Sequence, residues 1–296
     1  MSQSVHILAP DFSHNRLSNF YFSFLSLPEQ KREAIETIYA FCRYTDDIVD
    51  EDNTDPSEKH RRLRQMTSEL RLALSGASHY PVLNKLGSII RRFDIPIVHF
   101  QNLLKGMEMD LRKNRYETFE ELEGYCYRVA STVGLICAEV FGYHHATTKE
   151  YAINLGKALQ LTNILRDIKA DATRGRIYVP REDMKRFGYS EDELLANVYN
   201  ERFVELMRYE CDRAHAYFKK AKTYLAEDDK PLFTAARTMG NIYYLLLRRI
   251  KAANYDVYSK RIRLGSPVKL LVAFVLRLRT KLPKNFHNYV RTELPA

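Results

Sequence analysis

Apolar residues recur along this chain three and four positions apart rather than at alternate positions. Sustained period-two alternation is absent, and only 11 glycines and 10 prolines are spread over 296 residues. This pattern is typical of amphipathic α-helices and argues against a β-sheet. No internal repeat, low-complexity tract or linker divides the chain. We therefore predict an all-α fold with a single domain over residues 1–296.

Capping and proline signals predict where the helices begin. Pro28 opens a helix that runs to about Asp52. Asp55, followed by proline and by Glu58 three residues on, begins a second helix that runs to Gly76. The other predicted helices cover residues 81–93, 96–112, 118–141, 149–172, a short helix capped by Ser190 and Glu193, 201–226 and 231–253.

Two pairs of aspartates lie within these predicted helices. Asp167 and Asp171 are four residues apart in QLTNILRDIKADATRGRIYVP (160–180), and Asp46 and Asp50 have the same spacing in YAFCRYTDDIVDE (39–51). Residues four apart leave the same face of a helix, so each pair presents two carboxylates together. Most charged residues are simply solvated. Because apolar residues surround both pairs, two matched pairs favour a site.

Two acidic helix faces require positive charge between them, and Mg2+ bound to a diphosphate provides it. Mg2+ prefers oxygen ligands and is typically held by one or two carboxylates plus phosphate oxygens. Asn163 and Gln160 lie one and two turns before Asp167 on roughly the same face. Arg174 and Arg176 follow in a predicted loop and suit phosphate binding, although two merely exposed arginines would give the same pattern.

Composition argues against several other classes of protein. The net charge of +9 is not accompanied by a basic cluster with interleaved aromatic residues, so we predict no nucleic-acid partner. The four cysteines lack metal-binding or disulfide spacing. A glycine-rich nucleotide fingerprint is absent, so no NADPH site is predicted. Neither a signal peptide nor a membrane-spanning run is evident, and a cytoplasmic location is expected.

The C-terminal segment, residues 264–296, has a distinct pattern. Its sequence SPVKLLVAFVLRLRTKLPK interleaves leucines with Lys269, Arg277, Arg279 and Lys281. Such a basic amphipathic helix can lie on an anionic bilayer surface. It can equally pack on the domain by its apolar face. The sequence leaves peripheral membrane association and simple packing open.

Four ordered blocks of sequence carry a family resemblance: YAFCRYTDDIVDE, GMEMDL (106–111), YCYRVASTVG (125–134) and QLTNILRDIKADATRGRIYVP. They resemble the squalene/phytoene synthase family of head-to-head prenyltransferases, and the similarity extends from SNFYFSFLSLP to YDVYSKRIRLGSPVKL. This resemblance implies an isoprenoid synthase fold, in which helices surround a central apolar cavity with the two aspartate-rich helices at its mouth.

The resemblance also implies roles for individual residues. The implied metal ligands, for Mg2+ or Mn2+, are Asp46, Asp50, Asn163, Asp167 and Asp171. The implied catalytic residues are Arg43, Tyr125, Arg166 and Tyr243. The implied substrate-binding residues are Ser18, Asn19, Phe20, Arg43, Gly134, Gln160, Asn163, Arg174, Arg176, Tyr243 and Arg261.

The implied reaction joins two allylic prenyl diphosphates through a cyclopropylcarbinyl diphosphate. We expect two farnesyl diphosphates and a squalene-type product, with a phytoene synthase that uses two geranylgeranyl diphosphates as the alternative. The subfamily signals conflict, because NFYF (19–22) is similar to the hydroxysqualene branch and NILRD (163–167) to the presqualene and phytoene branches. The carotenoid and hopanoid pathways, the quenching of the final cation and the oligomeric state all stay open.

Two functions of other kinds are also compatible with parts of the sequence. A terpene cyclase shares the use of aspartates and magnesium, but the arginine loop and the second helical aspartate pair fit it less well. A non-catalytic scaffold has little reason to keep carboxylates clustered in apolar surroundings. Clustered titratable groups of this kind indicate a functional site, so an enzyme is favoured over a scaffold.

Overall fold

The secondary structure is helical in a computed structural model that describes residues 23–24, 27–51 and 54–281. Within those ranges there is no β-strand, and one isolated bridge pairs Arg115 with Ile177. The helices are α1 (Glu29–Asp50), α2 (Pro56–Ala73), α3 (Pro81–Arg92), α4 (Ile97–Arg112), α5 (Phe119–Cys126), α6 (Thr132–Phe141), α7 (Thr148–Thr173), α8 (Arg181–Arg186), α9 (Glu191–Leu195), α10 (Glu201–Tyr224), α11 (Thr234–Ala252) and α12 (Ser266–Lys281). The prediction of an all-α fold is confirmed.

The predicted caps account for several helix starts. The Asp55 carboxylate accepts a hydrogen bond from the first turn of α2, and Ser190 and Glu193 form a complete capping box at α9. At α5 the Thr118 hydroxyl accepts from the Glu121 amide. The Glu121 carboxylate, however, accepts from the amide of the residue that precedes Thr118, so the box there stays open.

A π-helical turn, Tyr127–Ser131, interrupts the helix predicted over 118–141 and separates α5 from α6. This turn packs between two glycines of neighbouring helices. A Cβ on Gly156 of α7 would lie 2.7 Å from the Ser131 backbone, and one on Gly106 of α4 would lie 2.7 Å from Cγ1 of Val129. π-Helical turns are often found at functional sites. The contact between this turn and α7 therefore indicates a functional site near that helix.

Helix α7 is packed on several sides, with contacts to α10, the π-helical turn, α6 and α11. Buried apolar residues from all the helices named above join in one connected cluster. This continuity supports the prediction of a single domain, which stays a prediction. No helix in the described ranges is both long and apolar enough to cross a membrane.

Helix α12 has two apolar faces. Val272 and Leu276 are buried and face the domain, where α12 packs against α11. The other face carries large apolar side chains that remain exposed: Leu270, Leu271, Phe274 and Leu278. Packing on the domain therefore explains only half of the amphipathic pattern.

The close approach at Gly156 predicts a large effect of a single methyl group. We expect Gly156→Ala to lower the free energy of unfolding by about 1–3 kcal/mol, because the new Cβ meets backbone atoms of the π-helical turn that no side-chain rotation can move. Thermal unfolding followed by circular dichroism measures the change. Gly124→Ala is a matched control, since its Cβ would meet only Nη1 of Arg128 at 3.5 Å. Equal melting temperatures for the two variants would contradict this packing.

Candidate active site

A cavity of about 860 Å3 lies between α1, α4, α6, α7 and α11. All the predicted site residues that the structure describes line it: Arg43, Asp46, Asp50, Tyr125, Gly134, Gln160, Asn163, Arg166, Asp167, Asp171, Arg174, Arg176, Tyr243 and Arg261. The remaining three predicted residues, Ser18, Asn19 and Phe20, lie outside the described residues. The structure thus brings together side chains that are far apart in the sequence, while their individual roles stay predictions.

Helix α1 contributes the first aspartate pair to the mouth of the cavity. The Arg43 guanidinium lies 3.8 Å from Oδ2 of Asp46 and 2.9 Å from Oδ1 of Asp47. Loss of hydration inside the cavity wall raises the pKa of Asp46 to about 7. The positive charge of Arg43 opposes this rise, and the negative charges of Asp50 and Asp110 add to it. Even so, 51% of the Asp46 side chain is accessible. The carboxylate is therefore enclosed by protein but open to a small ligand in the cavity.

Helix α7 contributes the second pair, whose two members differ in electrostatic environment. Burial alone would raise the pKa of Asp167, but Arg166 and Arg261 outweigh it and hold the pKa below its usual value. Arg261 donates to both carboxylate oxygens, at 2.9 and 3.1 Å. Asp171 has no ion pair or side-chain hydrogen bond with the described residues, and burial together with neighbouring Asp167 raises its pKa to about 7.

The loop after α7 connects the two acidic helices. Asp50 of α1 accepts from Arg176 at 2.8 Å and lies 3.1 Å from Arg174. Backbone hydrogen bonds fix the loop, since the Ile177 amide donates to Asn114 O at 3.0 Å. The sequence predicts that these arginines bind phosphate; the structure shows in addition that they neutralise a carboxylate of the opposite helix.

Further polar groups gather around Arg166. Tyr243 of α11 is buried next to it. Lys269, at the start of α12, is also buried, and burial and the charge of Arg166 both lower its pKa. Lys269 is a cation near the mouth that the sequence analysis treated only as part of an amphipathic helix.

The oxygen atoms at the mouth fit a hard divalent cation such as Mg2+. Asp46 and Asp171 present carboxylates whose charge is incompletely balanced, and Oδ1 of Asn163 is buried without a hydrogen-bond partner among the described residues. No group of three or more His, Cys, Asp or Glu in the described ranges is arranged to hold a metal by itself. Since Mg2+ usually takes one or two carboxylates and completes its shell with phosphate and water, this donor set suits an ion that binds together with a diphosphate.

Asp110 and Tyr178 are site residues that the sequence analysis missed. The Asp110 carboxylate accepts from the Tyr125 hydroxyl at 2.7 Å and from the Tyr178 hydroxyl at 2.8 Å. The two tyrosine rings stack with centroids 5.3 Å apart. Burial raises the pKa of Asp110 to about 6 despite these hydrogen bonds. The only sequence signal was the Asp110 carboxylate in GMEMDL, two residues after Glu108, and its hydroxyl partners lie 15 and 68 residues away.

The cavity becomes apolar and aromatic away from the aspartates. Phe233 makes edge-to-face contacts with Phe141 and Tyr151, with ring centroids 5.4 and 5.7 Å apart. Tyr151 precedes Asp167 by four to five turns of α7, which corresponds to roughly 24 Å along the helix axis. We call Phe141, Tyr151 and Phe233 the aromatic floor. The cavity thus joins a charged mouth to a long apolar interior.

This chain is similar to known proteins over most of its length. The family model described as Squalene/phytoene synthase matches residues 14–268. The 15-cis-phytoene synthase of Synechocystis sp. is 38% identical over 275 residues, which cover 89% of this chain and 81% of the relative. The 15-cis-phytoene synthase of Synechococcus elongatus is 36% identical over 276 residues and covers 88% of each chain.

Solved structures agree with this assignment. A dehydrosqualene synthase crystallised with a ligand matches with a TM-score of 0.79 and 29% identity, over 91% of this chain and 94% of that one. Squalene synthase HpnC from Alicyclobacillus acidocaldarius matches with a TM-score of 0.75 and 29% identity, over 82% and 92%. The predicted isoprenoid synthase fold and the predicted prenyl-transferring class of enzyme are confirmed. The chain belongs to the squalene/phytoene synthase family of head-to-head prenyltransferases.

Proposed function

We propose that this enzyme condenses two geranylgeranyl diphosphates, with Mg2+, to a phytoene-type product. The observation that carries the proposal is the mouth of the cavity, where aspartates and arginines of α1, α7 and the following loop face one another above an apolar interior. The geranylgeranyl substrate, rather than the farnesyl substrate that we expected from the sequence, is supported by relatives named phytoene synthases at 38% and 36% identity.

Farnesyl diphosphate is the second candidate substrate. It is favoured by the 29% identity and high structural similarity to a dehydrosqualene synthase and to a squalene synthase. The two candidates share the diphosphate group and the condensation chemistry, so the same residues at the mouth would serve both.

Substrate binding would exchange partners at the mouth. Guanidinium groups bind phosphate oxygens through paired, charge-assisted hydrogen bonds, so a diphosphate would compete for Arg174, Arg176 and Arg261. Their departure would free Asp50 as an oxygen ligand and would leave Asp167 paired with Arg166 alone. The metal would then be held by phosphate oxygens together with the predicted ligands Asp46, Asp50, Asn163, Asp167 and Asp171. When bound, Mg2+ neutralises charge that develops on the departing diphosphate.

The reaction divides the residues of the cavity between two tasks. At the mouth, the arginines stabilise the diphosphate as the bond between carbon and oxygen breaks. In the interior, apolar and aromatic walls exclude water from the allylic cation. The double bond of the second chain attacks this cation, and loss of a proton closes the cyclopropane. A second ionisation and rearrangement follow, and loss of a final proton gives the triene of phytoene.

The Asp110 and tyrosine cluster is placed to help in the cationic steps. Aromatic rings attract a nearby cation, and Tyr125 and Tyr178 both line the cavity. Asp110 fixes both hydroxyls and so sets the orientation of both rings. We assign Asp110 as a positioning residue that acts through Tyr125 and Tyr178. A final step by proton loss needs no hydride, which agrees with a sequence that lacks a nucleotide fingerprint.

Product analysis tests the proposal. We expect the purified enzyme with Mg2+ to convert geranylgeranyl diphosphate to phytoene without NADPH, and to use farnesyl diphosphate poorly. Mass spectrometry of incubations with each substrate, with and without NADPH, identifies the products. Efficient turnover of farnesyl diphosphate alone would establish the second candidate. Binding of both substrates without turnover of either would overturn the proposed activity.

Neighbouring aspartates of α1 provide a matched test of the metal site. Asp46→Asn should lower Mg2+-dependent turnover by about a hundredfold or more, because it removes an anionic oxygen from the mouth where charge develops. Asp47→Asn should change turnover less than about fivefold, since Asp47 pairs with Arg43 near the surface and does not line the cavity. Steady-state kinetics against Mg2+ concentration, with circular dichroism as a check of folding, distinguishes the variants. Full activity of Asp46→Asn would remove this aspartate from the mechanism.

A double-mutant cycle tests the positioning role of Asp110. Asp110→Ala and Tyr178→Phe should each lower kcat by about tenfold to a hundredfold, because each removes the hydrogen bond that orients the Tyr178 ring. Since both changes break one interaction, their combined effect should be clearly smaller than the product of the two single effects. The substrate KM should change little. Fully multiplicative effects would show that Asp110 does not act through Tyr178.

A further inference from the structure

The exposed face of α12 is the largest concentration of exposed apolar side chains among the described helices. Leu270, Leu271, Phe274 and Leu278 are 48%, 61%, 59% and 45% exposed, whereas Val272 and Leu276 on the opposite face are buried. The spacing of the exposed four places them on one side of the helix. A contiguous apolar surface of this kind usually marks an interaction site. We call Leu270, Leu271, Phe274 and Leu278 the α12 face.

The charge around this face identifies the kind of partner. Between residues 259 and 281 the chain contains no Asp or Glu and seven basic residues: Lys260, Arg261, Arg263, Lys269, Arg277, Arg279 and Lys281. Since the whole chain has a net charge of +9, most of the excess is concentrated in this one segment. We propose that the α12 face docks the protein on the surface of an anionic lipid bilayer, with its apolar side chains in the boundary of the acyl chains. The basic residues of this segment, apart from the buried Lys269 and the Asp167-bound Arg261, would lie near the headgroups.

A second copy of the chain is a poorer occupant. In a symmetric contact through the α12 face, two segments of identical positive charge would approach each other, which is unfavourable. Anionic lipid instead attracts basic residues at its surface, and the attraction adds to the burial of apolar area. The proposed orientation is that of a helix lying in the interface, since α12 over its described residues 266–281 is not long and apolar enough to cross a membrane.

The position of α12 relative to the cavity links membrane docking to the release of the product. Arg261, in the segment that leads into α12, donates to Asp167 at the mouth. In the same region Lys169 of α7 donates to Tyr258 O at 2.7 Å. The segment that leads into α12 therefore lies at the mouth, and Lys269 in the first turn of α12 is buried near Arg166. A bilayer bound to the α12 face would then lie close to the mouth, beside the exit for an apolar product. This link to product release rests on the proposed function, whereas the docking itself does not.

Vesicle co-sedimentation of the full-length protein tests the inference without substrate. The probes are phosphatidylcholine vesicles with and without phosphatidylglycerol, at low and high salt. We expect binding to vesicles that contain phosphatidylglycerol, weakened by salt because the basic residues act through screened charge. Leu271→Glu/Phe274→Glu should weaken binding by about tenfold or more, since it places carboxylates at the lipid boundary. Val98→Glu, at a position 46% exposed on α4, is the matched control and should bind like the wild type.

Turnover and oligomeric state separate the other outcomes. Diphosphate release measured without vesicles should be the same in all three proteins, because none of the substituted residues lines the cavity.

No binding by the wild type would overturn the inference and would indicate that another part of the chain covers the α12 face. Equal binding of both Glu variants would also overturn it. Light scattering that shows a dimer lost only in Leu271→Glu/Phe274→Glu would instead establish a second copy as the occupant. Loss of catalysis with intact vesicle binding would count against the proposed function alone.

Discussion

The balance of charge at the mouth of the cavity is the constraint on which the rest of the structure depends. Helices α1 and α7 bring four aspartates together in an enclosed site, where repulsion between carboxylates is stronger than in water. Arginines compensate Asp50 and Asp167, whereas Asp46 and Asp171 keep raised pKa values. A metal ion alone would compete with the arginines, and a diphosphate alone would leave carboxylates unpaired. The two together would satisfy both sets, which is the joint binding that the proposed function requires.

Helix α7 shows how the fold combines this charge with an apolar interior. Its polarity changes along the helix axis: Tyr151, in the first half, belongs to the aromatic floor, and Asp167 and Asp171, near the end, belong to the mouth. Such a helix has to be enclosed by neighbours over most of its length. The backbone contact between Gly156 and the π-helical turn brings α7 and the preceding segment close enough to form that enclosure.

Local patterns explain which parts of the site could be predicted from the sequence. The two aspartate pairs and the arginine loop were recognised because their spacing is a property of a single helix and the residues after it. Asp110 was missed because its partners come from distant parts of the chain, Tyr125 from α5 and Tyr178 from the loop after α7, and only the fold brings them to α4. The sequence of α12 likewise left packing and membrane contact open, and the structure shows that one face packs and the other remains exposed.

Selectivity for the length of the prenyl chain must depend on the interior of the cavity and not on its mouth. Farnesyl and geranylgeranyl diphosphate carry the same charged group, so residues at the mouth interact with both alike and cannot discriminate between them. Discrimination must arise where the longer chain ends, and an apolar pocket contributes only about 1–3 kcal/mol for each methylene of fit. In this cavity the aromatic floor is far from the mouth, and one of its members, Tyr151, has a buried hydroxyl without a partner among the described residues. The motifs that identify the family lie at the mouth, which is why they predict the chemistry and not the length of the chain.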